Sequence, residues 1–362
     1  VNGRDDPIRF AERLLALLEE GSFTATYKFA VLLGLMDLCL EHSDRVGEPA
    51  RMVTTRQLAE KVIELYWPHT TPFETHGEVL RQNRGRPAVI LSRIQAFRDH
   101  ASPDRSCTLY RARSNSPTEF QALLDEVEWT LVHMPLPKLQ RFGGSEERFV
   151  YQIAWDDSIT LSRFRNAREF DNRITFVGSA AEHLVRLAPL LRPLIQQKWV
   201  EMVGKLNDLE VARLEGFLFG ADRVSLQPVR QPLLELQRGA CFYCGGRIRS
   251  SADVDHFLPW ARYPDDRLDN LVVAHPRCNR AKKDFLASAT HLASWTARLA
   301  SFDVDLGQIA EAVGWPRSTA RSLAVIRGTY LKLPEGVALW QESRDFVPSR
   351  HDELLEALAP VQ

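Results

Sequence analysis

Residues 241–284 read CFYCGGRIRSSADVDHFLPWARYPDDRLDNLVVAHPRCNRAKKD. Four soft or borderline ligands stand in this stretch as two pairs, Cys241-x-x-Cys244 and His275-x-x-Cys278. Two knuckle-like turns with a two-residue gap suit the four-coordinate tetrahedron that zinc takes in structural sites. Gly245 and Gly246 follow the first pair, where a tight turn must aim both thiolates inward. The remaining cysteines are scattered, Cys39 in an apolar run and Cys107 alone. Five cysteines are an odd count for a disulfide framework, and the N-terminal Val-Asn-Gly-Arg-Asp-Asp has no apolar signal core. Clustering in such a chain favours metal over disulfide. The expected ion is Zn²⁺, held by Cys241, Cys244, His275 and Cys278. The alternative is three chance cysteines beside a histidine.

Between the pairs lie Asp253-Val254-Asp255-His256, then Pro259 and Asn270-Leu271; Asn279, Arg280, Lys282 and Lys283 follow the last cysteine. These are the residue types that phosphodiester hydrolysis asks for. An imidazole, which titrates near neutral pH, can take a proton from water, and His256 is the expected base. Hard cations such as Mg²⁺ or Mn²⁺ prefer oxygen ligands, which Asp255 and the Asn279 side chain offer. Lys282, with Arg280 or Lys283, would hold phosphate oxygens, and Arg247 would add to that surface. Asn270 is expected to orient the loop and the base by hydrogen bonds. Each residue also has a plainer reading. His256 alone would be a structural or surface histidine, Asn270 a turn residue, and Lys282-Lys283 a solvated helix face. Asp253 competes with Asp255, but only Asp255 directly precedes the histidine.

This arrangement resembles the HNH nuclease family. The shared landmarks are Asp255-His256 with Pro259, Asn270 before Leu271-Val272-Val273, and Cys278-Asn279 with Lys282. The resemblance covers roughly an eighth of the 362 residues. It implies a ββα-metal module, often braced by two Cys-x-x-Cys pairs, with Asp255 and Asn279 flanking one Mg²⁺ or Mn²⁺. The chain departs from the family pattern in opening its second pair with His275, where a cysteine is commoner. The implied activity is DNA cleavage, in a layout like that of bacterial restriction or anti-phage effectors. Two other readings stand beside it, an RNA-directed nuclease and a zinc-braced nucleic-acid-binding protein without cleavage. Cutting both strands at once needs two active sites, so a homodimer or an activating protein partner is in view.

Bulk properties bound the rest. A 362-residue chain with 44 % hydrophobic and 26 % charged residues is an ordinary folded protein of two or three domains. No run reaches the roughly 18–20 apolar residues of a membrane span, and cytoplasmic residence is the default. A protein dedicated to coating nucleic acid would usually be much more basic than this chain of net charge −1, so any binding must use a local patch. Residues 223–285, however, hold 11 Lys/Arg against 7 Asp/Glu, a local excess of +4. Such a patch would give salt-sensitive, largely sequence-independent phosphate binding.

The expected fold is α+β and mostly helical, in four parts. Residues 1–125 are a helical domain, either winged-helix or helix-turn-helix in kind or an ordinary bundle. Its helices are expected over Pro7 to Glu20, Thr26 to His42, from a Thr54 or Thr55 cap to Trp67-Pro68, and over Ala88 to His100. Residues 126–222 are a small mixed region. Strands are expected at Glu128 to His133, Arg148 to Trp155 and Ile174 to Val177, with Gly143-Gly144 between the first two, followed by a long Ser179-capped helix bent at Pro189 and Pro193. Residues 223–290 are the metal-braced module, entered through a helix over Gln227 to Gln237. Residues 291–362 are a helical tail, whose turn at Gly314-Trp315-Pro316 fits either a helix-turn-helix or a packed hairpin cored by Trp295, Trp315 and Trp340.

Overall fold

The computed structural model describes residues 6–20, 24–73, 77–85, 88–101, 107–142, 145–220 and 224–359. They form two compact units. One comprises Val1–Cys39 with Pro49–Arg223, the other Leu40–Glu48 with Val224–Gln362. The fold is the expected mostly helical α+β. No described helix is long and apolar enough to cross a membrane.

The first unit holds helices α1 (Pro7–Glu20), α2 (Tyr27–Glu41, its end in the other unit), α3 (Thr55–Tyr66), α4 (Val89–Ala101), α5 (Leu109–Asn115), α6 (Pro117–His133), α7 (Leu161–Arg165), α8 (Ala180–Arg186), α9 (Ala188–Asn207) and α10 (Val211–Phe219). Short strands β1 (Met52–Thr54), β4 (Tyr151–Gln152) and β5 (Arg173–Phe176) form an antiparallel sheet in the order β1-β5-β4, while β2 (Arg141–Phe142) pairs with β3 (Ser145–Glu146). Thr54 ends β1 and caps α3. Its hydroxyl accepts from Gln57 N at 3.2 Å, and its own N–H donates to Gln57 Oε1 at 2.8 Å. This reciprocal box satisfies two of the donors that a helix start leaves orphaned. α3 buries Leu58, Ala59, Val62, Ile63 and Tyr66 against α4 and α6.

The expectation for 128–133 is corrected. Glu128 to His133 is the last turn and a half of α6, not a strand. Phe120, Leu123, Leu124, Val127 and Leu131 are buried at helical spacing, and that 3.6-residue period overrides the strand preference of Trp129 and Val132. The Arg148 to Trp155 strand shrinks to Tyr151–Gln152, and the Ile174 strand is β5. Gly143-Gly144 lies outside the described residues. The long helix after Ser179 is two helices, divided at Leu187. Ser179 makes no side-chain cap, Pro189 occupies the first turn of α9, and Pro193 is carried inside it.

The second unit is built around a β-hairpin and a short helix. After α11 (Gln227–Leu236), strand β6 (Asp253–His256) pairs antiparallel with β7 (Leu271–Ala274), in the register Asp253↔Ala274, Asp255↔Val272 and His256↔Leu271. Helix α12 (Pro276–Lys282) follows at once and packs on β6. The core beneath joins Phe257, Trp295 and Tyr330, with the Phe257 and Trp295 rings stacked at 5.3 Å. α13 (Ala289–Ser301), α14 (Asp303–Val313), α15 (Thr319–Tyr330) and α16 (His351–Leu358) complete the unit. The tail is not wholly helical. Strands β8 (Ala338–Glu342) and β9 (Asp345–Pro348) form a hairpin, docked where Ser288 N donates to Trp340 O and Trp340 N to Leu286 O, both at 2.8 Å.

Two devices tie this unit together. Asp269 is fully buried beside the start of α15, whose cap residue is Ser318. It accepts from Ser318 N and the Thr319 hydroxyl at 2.9 Å each, and from Arg317 Nε at 3.1 Å. A buried carboxylate needs such partners, and here each is a donor at or beside a helix N-terminus. The second device is the 40–48 strip. Glu41 accepts from the Tyr263 hydroxyl and pairs with Arg321, and Lys332 pairs with Glu48. A Cβ at Gly328 would lie 2.6 Å from Ser43 Oγ, so the strip and α15 meet where only glycine fits.

Candidate metal centre and hydrolytic site

The four ligand atoms of Cys241, Cys244, His275 and Cys278 lie within 4.8 Å of one another. The first knuckle closes by Gly245 N donating to Cys241 O at 3.0 Å and Cys241 N to Gly246 O at 2.9 Å. Gly245 has φ +66°, a left-handed conformation open to glycine at no steric cost. The second pair sits at the start of α12. The His275 N–H points at Cys241 Sγ (3.3 Å), and its Nδ1 lies 3.3 Å from Cys244 Sγ. Ligands about 2.0–2.3 Å from one ion lie under about 4 Å apart, so this donor set fits zinc after a contraction of about 1 Å. The thiols are unlike one another. Burial opposes ionisation of Cys244, but hydrogen bonds from Gly246 N–H, His275 and the two other cysteines bring it down to about 7. Burial and the neighbouring Cys241 and Cys244 push Cys278 up to about 12.

Strand alternation sets the hydrolytic residues on two faces. Asp253 and Asp255 share the face that meets α12. There Asn279 Nδ2 donates to Asp253 Oδ2 at 3.2 Å, and Lys282 Nζ lies 3.0 Å from Asp255 Oδ2. The Tyr243 hydroxyl donates to the same Asp255 oxygen. Burial, then the Asp255 charge, push the Tyr243 phenol well above its ordinary range, so it remains a donor. Asp253 Oδ1, Asp255 Oδ1 and Asn279 Oδ1 are left as the hard oxygen donors of this face. Their chemistry fits Mg²⁺ or Mn²⁺.

Lys282 differs from expectation. It is fully buried, engaged by Asp255 and donating to His256 O at 2.8 Å, so its charge braces β6 and does not face phosphate. Arg247, Arg280 and Lys283 are exposed, as are Arg249 and Arg277, which the sequence reading passed over. Among the described residues none of these five side chains has an ion pair or hydrogen bond. Their clustering around the two knuckles was the signal available for the missed pair.

His256 ends β6 on the other face. Its Nε2 lies 2.8 Å from Asp266 Oδ1, and its ring packs 5.3 Å from that of Trp260. Asn270 pins the intervening loop. Leu258 N donates to its Oδ1 at 2.8 Å, while its Nδ2 donates to Asp265 O (3.0 Å) and Leu258 O (3.2 Å). Asp253, Asp266, Tyr243 and Trp260 are thus site neighbours that spacing alone did not single out. The structure brings Asp255, Asn279, His256 and Asn270 around one hairpin and helix, with the thiol cage at its far end.

Comparison with known families agrees with this geometry. The sequence model of the family described as HNH endonuclease matches residues 241–288. That of a domain of unknown function, DUF8808, matches residues 9–215. A CRISPR-associated endonuclease Cas9 from Actinomyces naeslundii is 34 % identical over 108 residues, 29 % of this chain and 9 % of that protein. The chain thus spans about a tenth of the relative's length. No solved structure matches.

Proposed function

We propose, for a chain that belongs to the HNH endonucleases through residues 241–288 and to the DUF8808 family through residues 9–215, that it cleaves DNA in the cytoplasm as a divalent-cation-dependent endonuclease of restriction or anti-phage defence. The observation that supports the reading is the β6–β7 hairpin with α12, which carries Asp255 and His256 on one strand and Asn279 on the helix packed against it, with the thiol–imidazole cluster at the hairpin's far end.

In this reading Cys241, Cys244, His275 and Cys278 hold a structural Zn²⁺. Asp255 and Asn279 hold Mg²⁺ or Mn²⁺, which when bound neutralises phosphate charge and eases departure of the leaving oxygen. His256 takes the proton of the attacking water. Asn270 keeps the His256 loop in place through three side-chain hydrogen bonds. Arg247, Arg249, Arg277, Arg280 and Lys283 meet the backbone phosphates as solvent-facing charges. The first unit supplies recognition or activation. The outward side of α6 carries Glu119, Asp125 and Glu126, with Asp125 and Glu126 already paired to Arg56 and Arg93. This face offers no surplus of positive charge to a phosphate backbone, and a protein partner is the occupant proposed for this unit.

The test is plasmid cleavage with Mg²⁺, Mn²⁺ or EDTA, comparing the native chain with His256→Ala. Cation-dependent nicking or linearisation that the variant loses is expected. Equal cleavage by both proteins removes His256 from the chemistry. RNA cut in preference to DNA moves the substrate class. Binding without cleavage of either makes the module a nucleic-acid-binding one.

A further inference from the structure

We infer that Asp266 is a positioning residue for His256, and that the Gly314-Trp315-Pro316 turn holds Asp266 in place. The inference rests on the nuclease reading for its consequence, but its geometry stands apart from it.

A carboxylate only accepts hydrogen bonds, so the 2.8 Å contact puts the ring proton on Nε2 and the lone pair on Nδ1. Nδ1 has no partner among the described residues, which leaves it as the nitrogen that faces water. The pair is enclosed, with 11 % of the His256 side chain and 18 % of the Asp266 side chain exposed. Trp260 against one side of the ring restricts its rotation. A hydrogen-bonded carboxylate thus fixes the direction of the ring and which of its nitrogens turns to water.

Asp266 is itself anchored from the second unit's C-terminal helices. Trp315 Nε1 donates to Asp266 O at 2.6 Å, and Leu268 N donates to Pro316 O at 3.0 Å. Arg317, next in the same turn, bonds Asp269. The α14–α15 turn therefore grips residues 266–269 at three points. The turn residues Trp315, Pro316 and Arg317 are thus engaged with the loop that carries Asp266. Residues 303–330 act as part of the hydrolytic site's frame.

The experiment uses the full chain and reads the ring and the reaction separately. At pH 8, nitrogen-15 NMR of the native protein should show a slowly exchanging imidazole N–H, assigned by its absence in His256→Ala. Asp266→Ala should lose that signal and lower kcat about 10–100-fold, the usual cost of removing a partner that orients a functional histidine. KM for a DNA duplex, zinc content and melting temperature should stay at native values. Trp315→Phe, which keeps the ring and loses the donor, should lower kcat several-fold in the same direction. Native kcat in Asp266→Ala overturns the inference. So does a loss of kcat with the N–H signal intact, or one that follows zinc content or melting temperature. If the native chain cuts nothing while Asp266→Ala still abolishes the signal, the pair is structural only. The nuclease reading then fails, and the positioning role fails with it.

Discussion

Two lysines one residue apart show how burial divides residues that look alike in sequence. Lys282 lies inside, between Asp255 and the His256 carbonyl, while Lys283 faces solvent. Lys282→Met leaves Asp255 buried with Tyr243 as its remaining partner. Breaking one side of a buried pair typically costs about 3–5 kcal/mol. Denaturant unfolding should show a loss of that order for the second unit, whereas Arg280→Ala should stay within about 0.5 kcal/mol of native. The DNA-binding readout reverses the order. Arg280→Ala should reduce the salt slope of binding by about 1, the mark of one lost phosphate contact. An Lys282→Met protein of native stability would refute the assignment of that ammonium to the interior.

Among elements, the knuckles and α12 are linked, because His275 and Cys278 belong to the candidate metal cluster and also form the start of the helix. Cys241→Ser with Cys278→Ser should abolish zinc in metal analysis and lower the melting temperature of the second unit. Zinc retained at native stoichiometry would exclude the thiol cage as its site. The sequence made α1 legible to the residue and α3 to its cap, because apolar period and capping chemistry are local. It misled at Glu128 to His133, where a six-residue window rich in Trp and Val hid a helix that starts at Pro117. It read the tail as helical and missed β8 and β9, a hairpin whose Trp340 docks on Leu286 and Ser288 more than fifty residues away. The site divides the same way. Asp255, His256 and Asn279 could be singled out as candidates because their residue types lie in one short motif. Asp266 was not, because an acid in a turn gains meaning only when the fold sets it 2.8 Å from an imidazole.

At the scale of the molecule, the second unit is made from two separated stretches of chain, 40–48 and 224–359. A fragment of residues 224–359 lacks Glu41, the partner of both Tyr263 and Arg321, and it uncovers the side of α15 at Gly328. Its melting temperature should fall below that of the same unit in the full chain, and amide exchange should speed up first in α15. Equal protection in fragment and full chain would show that the strip contributes nothing to this unit. Residues 241–288, the part matching the HNH family, are shorter still. They lack the Trp295, Tyr330 and Trp340 rings that pack against their core.

The same interrupted layout bears on inheritance. A domain encoded in one block can move between genes by a single recombination at each end. This one cannot, because codons 40–48 lie within the coding region of the other unit. A transfer that took only the downstream codons would deliver a module missing one wall. Lineages carrying the intact arrangement should therefore pass on both units as one hereditary piece, and fusions joined near codon 224 should be selected against.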